Sequence, residues 1–204
     1  MQKGIDYDET HTSCLSARGF RTILAIAASD SLTLGTLDVR NAFQNTQRSV
    51  SERVLLTPPP FYLEWFNLRY PHLSISRDDG PFCLQAVNGI QGTKDIGRVW
   101  NIVLRKILMA PPLEFTRLNS EPGVFVKHYP GNQKHIIGVS TDDFLCAYSD
   151  RSFFLNLIQG MKSYFNITSA EGPSLRMLNI RIIQSEHGVS FDQSEGIEPN
   201  ILCL

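Results

Sequence analysis

The stretch of sequence that decides the fold reads KHIIGVSTDDFLCAY and covers residues 134–148. Two β-favouring runs, residues 134–140 and 144–148, flank a polar triplet at residues 141–143. This pattern predicts a β-hairpin with its turn at the triplet. Apolar residues stand on both sides of the two acids, so the acids do not belong to a solvated charge run. The sequence therefore predicts a hairpin that carries Asp142 and Asp143 at its tip.

Adjacent carboxylates at such a tip repel each other, by roughly 1 kcal/mol at about 4 Å in water and by more where the dielectric is lower. A buried pair therefore favours a bound cation. The alternative is a simple turn that tolerates two aspartates. The chain offers such a turn at Asp78-Asp79, which lies in a polar stretch and precedes a Gly-Pro pair. The apolar flanks distinguish Asp142 and Asp143 from it.

A third acid, Asp38, lies within another β-favouring run at residues 36–39. Alone, it would be a strand-end or helix-capping aspartate. Together with the hairpin acids it predicts an oxygen-rich site of the kind that suits Mg²⁺. In a two-metal site, one ion lowers the pKa of an attacking hydroxyl and the other stabilises phosphate oxygens.

The rest of the chain shows mixed periodicity. Apolar spacing predicts helices at about residues 15–31, 94–109 and 150–165, and short strands at 53–57, 83–87, 123–128, 176–184 and 189–191. Residues 61–79 are predicted to form a surface excursion without regular core structure. The order of elements predicts an α+β domain in which helices pack on one face of a mostly antiparallel sheet.

Two of the predicted helices have distinct sides. In the helix at 94–109, Lys94, Arg98 and Arg105 lie opposite the apolar side, so one face is cationic. In the helix at 150–165, one packed side is predicted from four residues, namely Phe153, Leu157, Met161 and Tyr164.

Composition narrows the class of protein. The chain has 204 residues, of which 42% are hydrophobic and 19% charged, which fits one globular domain or a piece of a larger protein. Its 19 basic and 20 acidic residues give a net charge of -1, so contacts to nucleic acid would need a local basic stripe. Four widely spaced cysteines without zinc-type spacing favour a reducing, intracellular compartment. No membrane segment is predicted.

Four motifs occur in a characteristic order along the chain. They are GIDYDET at residues 4–10, LDVRNAF at 37–43, QGTK at 91–94 followed by GRVW at 97–100, and STDD at 140–143. This set resembles the copia-type retrotransposon reverse transcriptases, in which an LDV strand ends on the first catalytic aspartate and a YVDD box supplies the others. The resemblance runs through nearly the whole chain.

The resemblance implies an architecture. It is a reverse-transcriptase-like palm with partial fingers and no thumb. Residues of about 1–35 and 52–90 would be fingers, about 36–51 and 91–195 would be palm, and 196–204 would begin the following region.

The resemblance also implies roles for individual residues. Asp38 and Asp142 would be direct metal ligands, with Asp143 as the third acid and the Val39 carbonyl as a supporting oxygen. Phe43 would be a steric gate against a ribose 2′-hydroxyl, with an ordinary core position as the alternative.

Further residues would contact substrate. Gln91 would touch the incoming nucleotide, unless it is only a polar turn residue. Lys94, Arg98 and Arg105 would attract template or primer phosphates, with a solvated charged helix face as the alternative. Two positions depart from the family pattern: Ser140 replaces a tyrosine and Ser16 replaces a basic residue.

The implied function is RNA-directed DNA polymerisation with two Mg²⁺ ions, or Mn²⁺ in their place. The partners would be an RNA/DNA template-primer, deoxynucleoside triphosphates, and the integrase, RNase H and thumb regions of a parent polyprotein. The location would be a cytoplasmic virus-like particle, with the nucleus as the alternative. Two rival interpretations stay open at this point: a degenerate, inactive transposon remnant, and a two-metal nuclease or phosphotransferase.

Overall fold

A computed structural model describes residues 13–48, 54–76, 80 and 82–193. Three expectations concern residues outside this set: the GIDYDET motif at 4–10, the Asp78-Asp79 turn, and the region beginning at 196–204. No helix among the described residues is both long enough and apolar enough to cross a membrane.

The described residues form a mixed set of helices and strands. The helices are α1 (Ala17–Ser29), α2 (Tyr62–Arg69), α3 (Ile96–Met109) and α4 (Arg151–Lys162), with short 3₁₀ turns at Pro71–Leu73 and Pro130–Asn132. The strands are β1 (Thr33–Val39), β2 (Val54–Leu56), β3 (Leu84–Ala86), β4 (Thr116–Arg117), β5 (Val124–Tyr129), β6 (Gln133–Ser140), β7 (Asp143–Tyr148), β8 (Ile167–Glu171), β9 (Ser174–Met177), β10 (Ile180–Ser185) and β11 (Gly188–Asp192).

The main sheet has six strands in the order β4-β5-β6-β7-β1-β8, and every neighbouring pair is antiparallel. A three-stranded sheet (β11-β10-β9) and a two-stranded sheet (β2-β3) accompany it. The predicted α+β class with a mostly antiparallel sheet is therefore confirmed.

Both faces of the main sheet are covered. On one face, Ile137 and Phe144 pack with α3 and α4, and on the other, Ile136 and Leu145 pack with α1 and the three-stranded sheet. The prediction that the helices share one face was therefore wrong for α1. The physical reason is that residues 136–139 of β6 and 144–148 of β7 are apolar runs with no polar alternation, and such runs are buried on both sides.

Helix α1 forms where the sequence predicts it. Its N-cap is Ser16, whose hydroxyl oxygen accepts a hydrogen bond from the Gly19 N–H at 2.9 Å. The helix buries an apolar face that includes Phe20, Ile23 and Leu24. This face packs on the sheet and holds the hairpin from one side.

Helix α4 differs from its prediction at the C-terminal end. Asp150 caps it, and the Asp150 carboxylate accepts from the Ser152 N–H at 2.7 Å. The helix ends at Lys162, and the buried side includes Phe154, whereas Tyr164 is 58% exposed. The prediction that Tyr164 belongs to the packed side was therefore wrong, because the helical periodicity stops before that residue.

Other elements also differ from the predictions made for this chain. The segment predicted as irregular contains α2, although that helix has no buried residue. Strand β8 was not predicted, because most of its residues are exposed and show no alternation. The single strand predicted at 176–184 is two strands, since Leu178 and Asn179 form a turn with positive φ angles of 50° and 60°.

Candidate active site

The two strands that carry predicted acids are neighbours in the main sheet. Strands β1 and β7 pair so that Asp38 lies directly opposite Asp143. Side chains alternate along a strand, so Asp143 shares the face of Leu145 and Ala147, which pack towards α1. Asp38 shares that face with Leu34. The fold therefore brings these two carboxylates to the same side of the sheet.

A two-residue turn closes the hairpin at Thr141 and Asp142. Ser140 pairs with Asp143 across the hairpin, and Thr141 has a φ of 55°, as the tight hairpin turns require. The Val39 N–H donates to the Asp142 carbonyl at 2.9 Å. The Trp100 indole N–H of α3 donates to the Thr141 carbonyl at 2.7 Å. Strand β1 and helix α3 thus both anchor the turn.

Asp38 and Asp143 line a shared open pocket of about 250 Å³. Strand β8 supplies one wall, and the Thr168 hydroxyl donates to Asp38 Oδ2 at 3.2 Å. Arg176 of β9 also lines this pocket. The pocket therefore combines two carboxylates with a hydroxyl donor and a cationic side chain.

The electrostatics of the pocket disfavour an ionised Asp143. Burial raises the pKa of Asp143 above its ordinary value, and the nearby charges of Asp142 and Asp38 raise it further. A backbone hydrogen bond from the Leu178 N–H acts in the opposite direction. Burial, and not repulsion between the acids, is the largest cause of the raised pKa. A cation in the pocket would relieve both effects.

The carboxylate oxygens of the pocket have the donor chemistry that suits Mg²⁺, but they do not form a complete protein cage for the ion. Among the residues that the structure describes, no three His, Cys, Asp or Glu side chains stand together as a ready metal cage. Mg²⁺ does not require one, because it commonly uses one or two carboxylates together with waters and substrate phosphates. The opposed pair Asp38 and Asp143, with Asp142 in the adjoining turn, matches that pattern.

The other predicted residues near the hairpin occupy different settings. Val39 is buried in the core, and its N–H is the donor to the turn. Phe43 is half-buried and packs against the core cluster beneath α3. Gln91 is exposed and precedes Gly92, whose φ is 94°. The metal, gate and nucleotide roles of these residues stay predictions.

The predicted basic residues lie at the start and along one side of α3. Lys94 is exposed, whereas Arg98 and Arg105 are half-buried, so that side of the helix is not a freely solvated face. The pKa of Arg117 is lowered first by the burial of Arg117 itself and then by the nearby positive charge of Arg105. A contact of these residues with nucleic acid stays a prediction.

The two departures from the family pattern have structural settings of their own. Ser140 ends β6 and is half-buried opposite Asp143. Ser16 caps α1, and its hydroxyl donates to Glu121 Oε2 at 2.6 Å. A carboxylate therefore already occupies the surroundings of Ser16.

Sequence reasoning missed three contributors to the pocket: Thr168, Arg176 and the Leu178 N–H. Thr168 lies on the unpredicted strand β8. Arg176 precedes a turn, and Leu178 belongs to that turn, inside a run that was predicted as one strand. Asn179 was the one available signal, because asparagine tolerates positive φ better than most residues.

Comparisons with known proteins identify the family of the chain. A family model described as reverse transcriptase (RNA-dependent DNA polymerase) matches residues 1–201. A retrovirus-related Pol polyprotein from transposon TNT 1-94 of Nicotiana tabacum is 24% identical over 184 residues. The aligned region covers 90% of this chain and 13% of that polyprotein. Since the family match spans nearly the whole chain, the protein belongs to the reverse transcriptase (RNA-dependent DNA polymerase) family, and its resemblance to the copia-type retrotransposon members is confirmed.

Proposed function

We propose that this chain carries the catalytic centre of an RNA-directed DNA polymerase that adds deoxynucleotides to a primer 3′ end by two-metal nucleotidyl transfer. The observation that carries the proposal is the register of β1 and β7, which sets Asp38 opposite Asp143 on one face of the sheet. Family membership supports the polymerase class, and the charge concentrated in the pocket supports the use of divalent cations.

In this proposal, Asp38, Asp142 and Asp143 hold two Mg²⁺ ions, for which Mn²⁺ can substitute. The bound ions would supply a lowered pKa for the primer hydroxyl and stabilisation of charge on the phosphate oxygens. The chain's own residues orient the acids. Thr168 holds the Asp38 carboxylate by its hydroxyl, and the Leu178 N–H holds that of Asp143.

Selection of the nucleotide falls to two exposed or half-exposed side chains. The ring of Phe43 would exclude a 2′-hydroxyl by occupying its volume, and Gln91 would contact the incoming nucleotide. Lys94, Arg98 and Arg105 would bind phosphates of the template-primer through charge-assisted contacts, which are sequence-independent. The binding surface would therefore include Lys94 and the side of α3 that carries Arg98 and Arg105.

The proposal extends to partners beyond this chain. The chain spans 13% of the length of the tobacco Pol polyprotein that it matches. Integrase, RNase H and thumb regions would come from a polyprotein of that kind, and the place of action would be a cytoplasmic virus-like particle or the nucleus.

A template-primer assay tests the proposal. The purified chain is incubated with a labelled DNA primer on an RNA template, deoxynucleoside triphosphates and Mg²⁺, and products are resolved by length. Primer extension that disappears on chelation of Mg²⁺ is the expected result. Absence of any product would favour an inactive remnant, and metal-dependent shortening of the strands would favour a nuclease.

A further inference from the structure

A buried ion pair joins the segment of Phe43 to the start of α3. Arg48 and Asp95 have side chains that are 1% and 6% exposed. Arg48 Nη1 donates to Asp95 Oδ2 at 2.6 Å, and Nη2 donates to Asp95 Oδ1 at 3.0 Å. Nη2 also donates to the Thr93 hydroxyl oxygen at 3.0 Å. The guanidinium is thus held in one plane by a two-point contact and a third hydrogen bond.

Stability alone does not explain such a pair. Removing two charges from water costs several kcal/mol per ion, and their attraction repays the cost only with good geometry. Apolar residues of the same volume would often serve the fold as well. What the pair provides is a fixed geometry between the two segments that it joins, because the bidentate contact defines both distance and orientation.

The first of these segments carries Phe43. The Thr46 N–H donates to the Phe43 carbonyl at 3.1 Å, and the buried Thr46 hydroxyl donates to the Ala42 carbonyl at 2.9 Å. These bonds make residues 42–46 a compact turn, and Arg48 follows two residues later. Movement of Arg48 would therefore move the backbone of Phe43.

The second segment carries Gln91. The Gly89 N–H donates to the Thr46 carbonyl at 2.8 Å, and the Arg48 N–H donates to the Val87 carbonyl at 3.0 Å. Gly89 packs so closely on the Phe43 carbonyl that a side chain there would have no room. Gln91 lies between this contact and the Arg48–Asp95 pair in sequence, so the segment is fixed on both sides of Gln91.

We propose that Arg48 and Asp95 are positioning residues for nucleotide selection, which fix the separation of Phe43 from Gln91 and thereby the space available to the sugar. The inference rests on the proposed polymerase function. Neither residue needs to touch the nucleotide. The Thr93 hydroxyl completes the pair, because it accepts from Arg48 and donates to the Ile90 carbonyl at 2.9 Å.

The test uses Arg48→Lys, which keeps the charge but cannot reproduce the two-point contact. Arg48→Met removes the charge as well. The matched control is Arg151→Lys, because Arg151 also makes a two-nitrogen contact to a carboxylate, that of Glu171, but is 71% exposed and belongs to α4. A second control, Ile182→Val, lowers stability from the three-stranded sheet without touching either segment.

The first readout is backbone amide exchange, which needs no activity. In Arg48→Lys, we expect the Gly89 and Arg48 amides to exchange at least about tenfold faster, while amides of β6 and β7 keep their protection. Neither control should show this local change. Unchanged exchange at Gly89 and Arg48 would overturn the inference whatever the enzyme does.

The second readout is single-nucleotide incorporation with deoxy- and ribonucleotides. Arg48→Lys should raise KM for the deoxynucleotide about tenfold, leave kcat within about twofold, and lower the deoxy-to-ribo preference about tenfold, since small misplacements are costly at reacting sites. A faster-exchanging variant with the wild-type preference would overturn the inference and leave the proposed function intact. A wild-type chain without incorporation would overturn both, and a result with all three expected changes supports both.

Discussion

At the scale of single residues, the Asp143 carboxylate has the least favourable electrostatic position in the pocket. Its pKa is raised first by burial and then by the charges of Asp142 and Asp38. A bound divalent cation favours the ionised form and therefore lowers that pKa again. Metal binding and proton release should consequently be linked at this residue.

We therefore expect Mg²⁺ to perturb the Asp38 and Asp143 carboxyl signals together. In a ¹³C NMR titration over the millimolar range, both signals should move with one midpoint, and the apparent pKa of Asp143 should fall. Asp150, an exposed capping residue of α4, is the internal control and should not respond. Signals of Asp38 and Asp143 that stay unmoved would rule out a shared metal site.

The Phe43 ring has two candidate roles, a steric gate for the sugar and an ordinary part of the core. It is half-buried and touches the core cluster, so both roles have structural support. If the ring is the gate, Phe43→Val should admit ribonucleotides while deoxynucleotide addition stays measurable, because the smaller side chain frees volume. If the ring serves only the core, the variant should lose roughly 1 to 3 kcal/mol of stability with an unchanged sugar preference. The ribo-to-deoxy incorporation ratio, measured beside the melting temperature, separates these results.

His135 makes the stability of the fold depend on pH. The side chain is fully buried, and burial, followed by the charge of Lys127, lowers its pKa from 6.5 to about 3. The folded state therefore holds His135 neutral. The contribution of this neutral side chain to the stability of the fold is complete above about pH 6.5 and is lost as the pH falls towards 3. Between pH 7 and pH 5 the loss should be about 2 kcal/mol.

Urea denaturation at these two pH values measures that loss. His135→Leu should reduce the difference between them, whereas the same change at the exposed His187 should leave it in place. An unaltered pH dependence in His135→Leu would contradict the account of this residue.

At the scale of elements, the hairpin of β6 and β7 depends on helix α3. The Trp100 indole N–H is the donor to the Thr141 carbonyl, and its ring packs edge-on against Phe165 at 5.1 Å. Trp100→Phe keeps an aromatic ring but removes the donor. We expect a loss of about 1 to 2 kcal/mol in the free energy of unfolding, together with a lower incorporation rate because the turn is less fixed.

The relevant comparison for this helix is Val103→Ala, which trims the same helix away from the turn. It should cost stability without a rate change beyond that expected from the folded fraction. Equal losses of rate in Trp100→Phe and Val103→Ala, at equal stability, would show that the indole bond does not orient the turn.

Elements with strong local periodicity could be predicted from the sequence. The hairpin, α1 and α3 have clear apolar patterns, and the acids at strand ends could be brought together on that basis. Strand β8 could not, because only Ile167 in it is buried and its place beside β1 depends on long-range pairing. The position of α1 on the second sheet face likewise depends on packing between distant segments, which no local pattern encodes.

Some residues of the candidate site could likewise be identified from the sequence, and others could not. Asp38, Asp142 and Asp143 stand out because carboxylates are unexpected beside apolar strand residues. Thr168 and the Leu178 N–H do not, since a threonine in a polar strand and a backbone group in a turn have no distinguishing sequence pattern. Arg48 and Asp95 were also not identifiable, because their ion pair joins residues that lie 47 positions apart.

At the scale of the whole molecule, one covered face of the main sheet carries the larger apolar core, and the other carries the candidate site. The face under α3 and α4 holds the larger apolar core cluster, whereas the acids lie at the end of the opposite face, where β8 and β9 border an open pocket. A solid core behind an open site allows the acids to be held at fixed positions while a large substrate approaches.

The most direct test of the central claim is the Mg²⁺-dependent rate of single-nucleotide incorporation in three matched chains: wild type, Asp143→Asn and Asp150→Asn. Asp143→Asn removes the charge that burial disfavours, so its melting temperature should stay level or rise. Asp150→Asn is the control, because asparagine caps a helix as well as aspartate does. The account predicts that Asp143→Asn lowers incorporation roughly 10³-fold or more, while Asp150→Asn keeps the wild-type rate. Incorporation by Asp143→Asn at the wild-type rate would contradict the account.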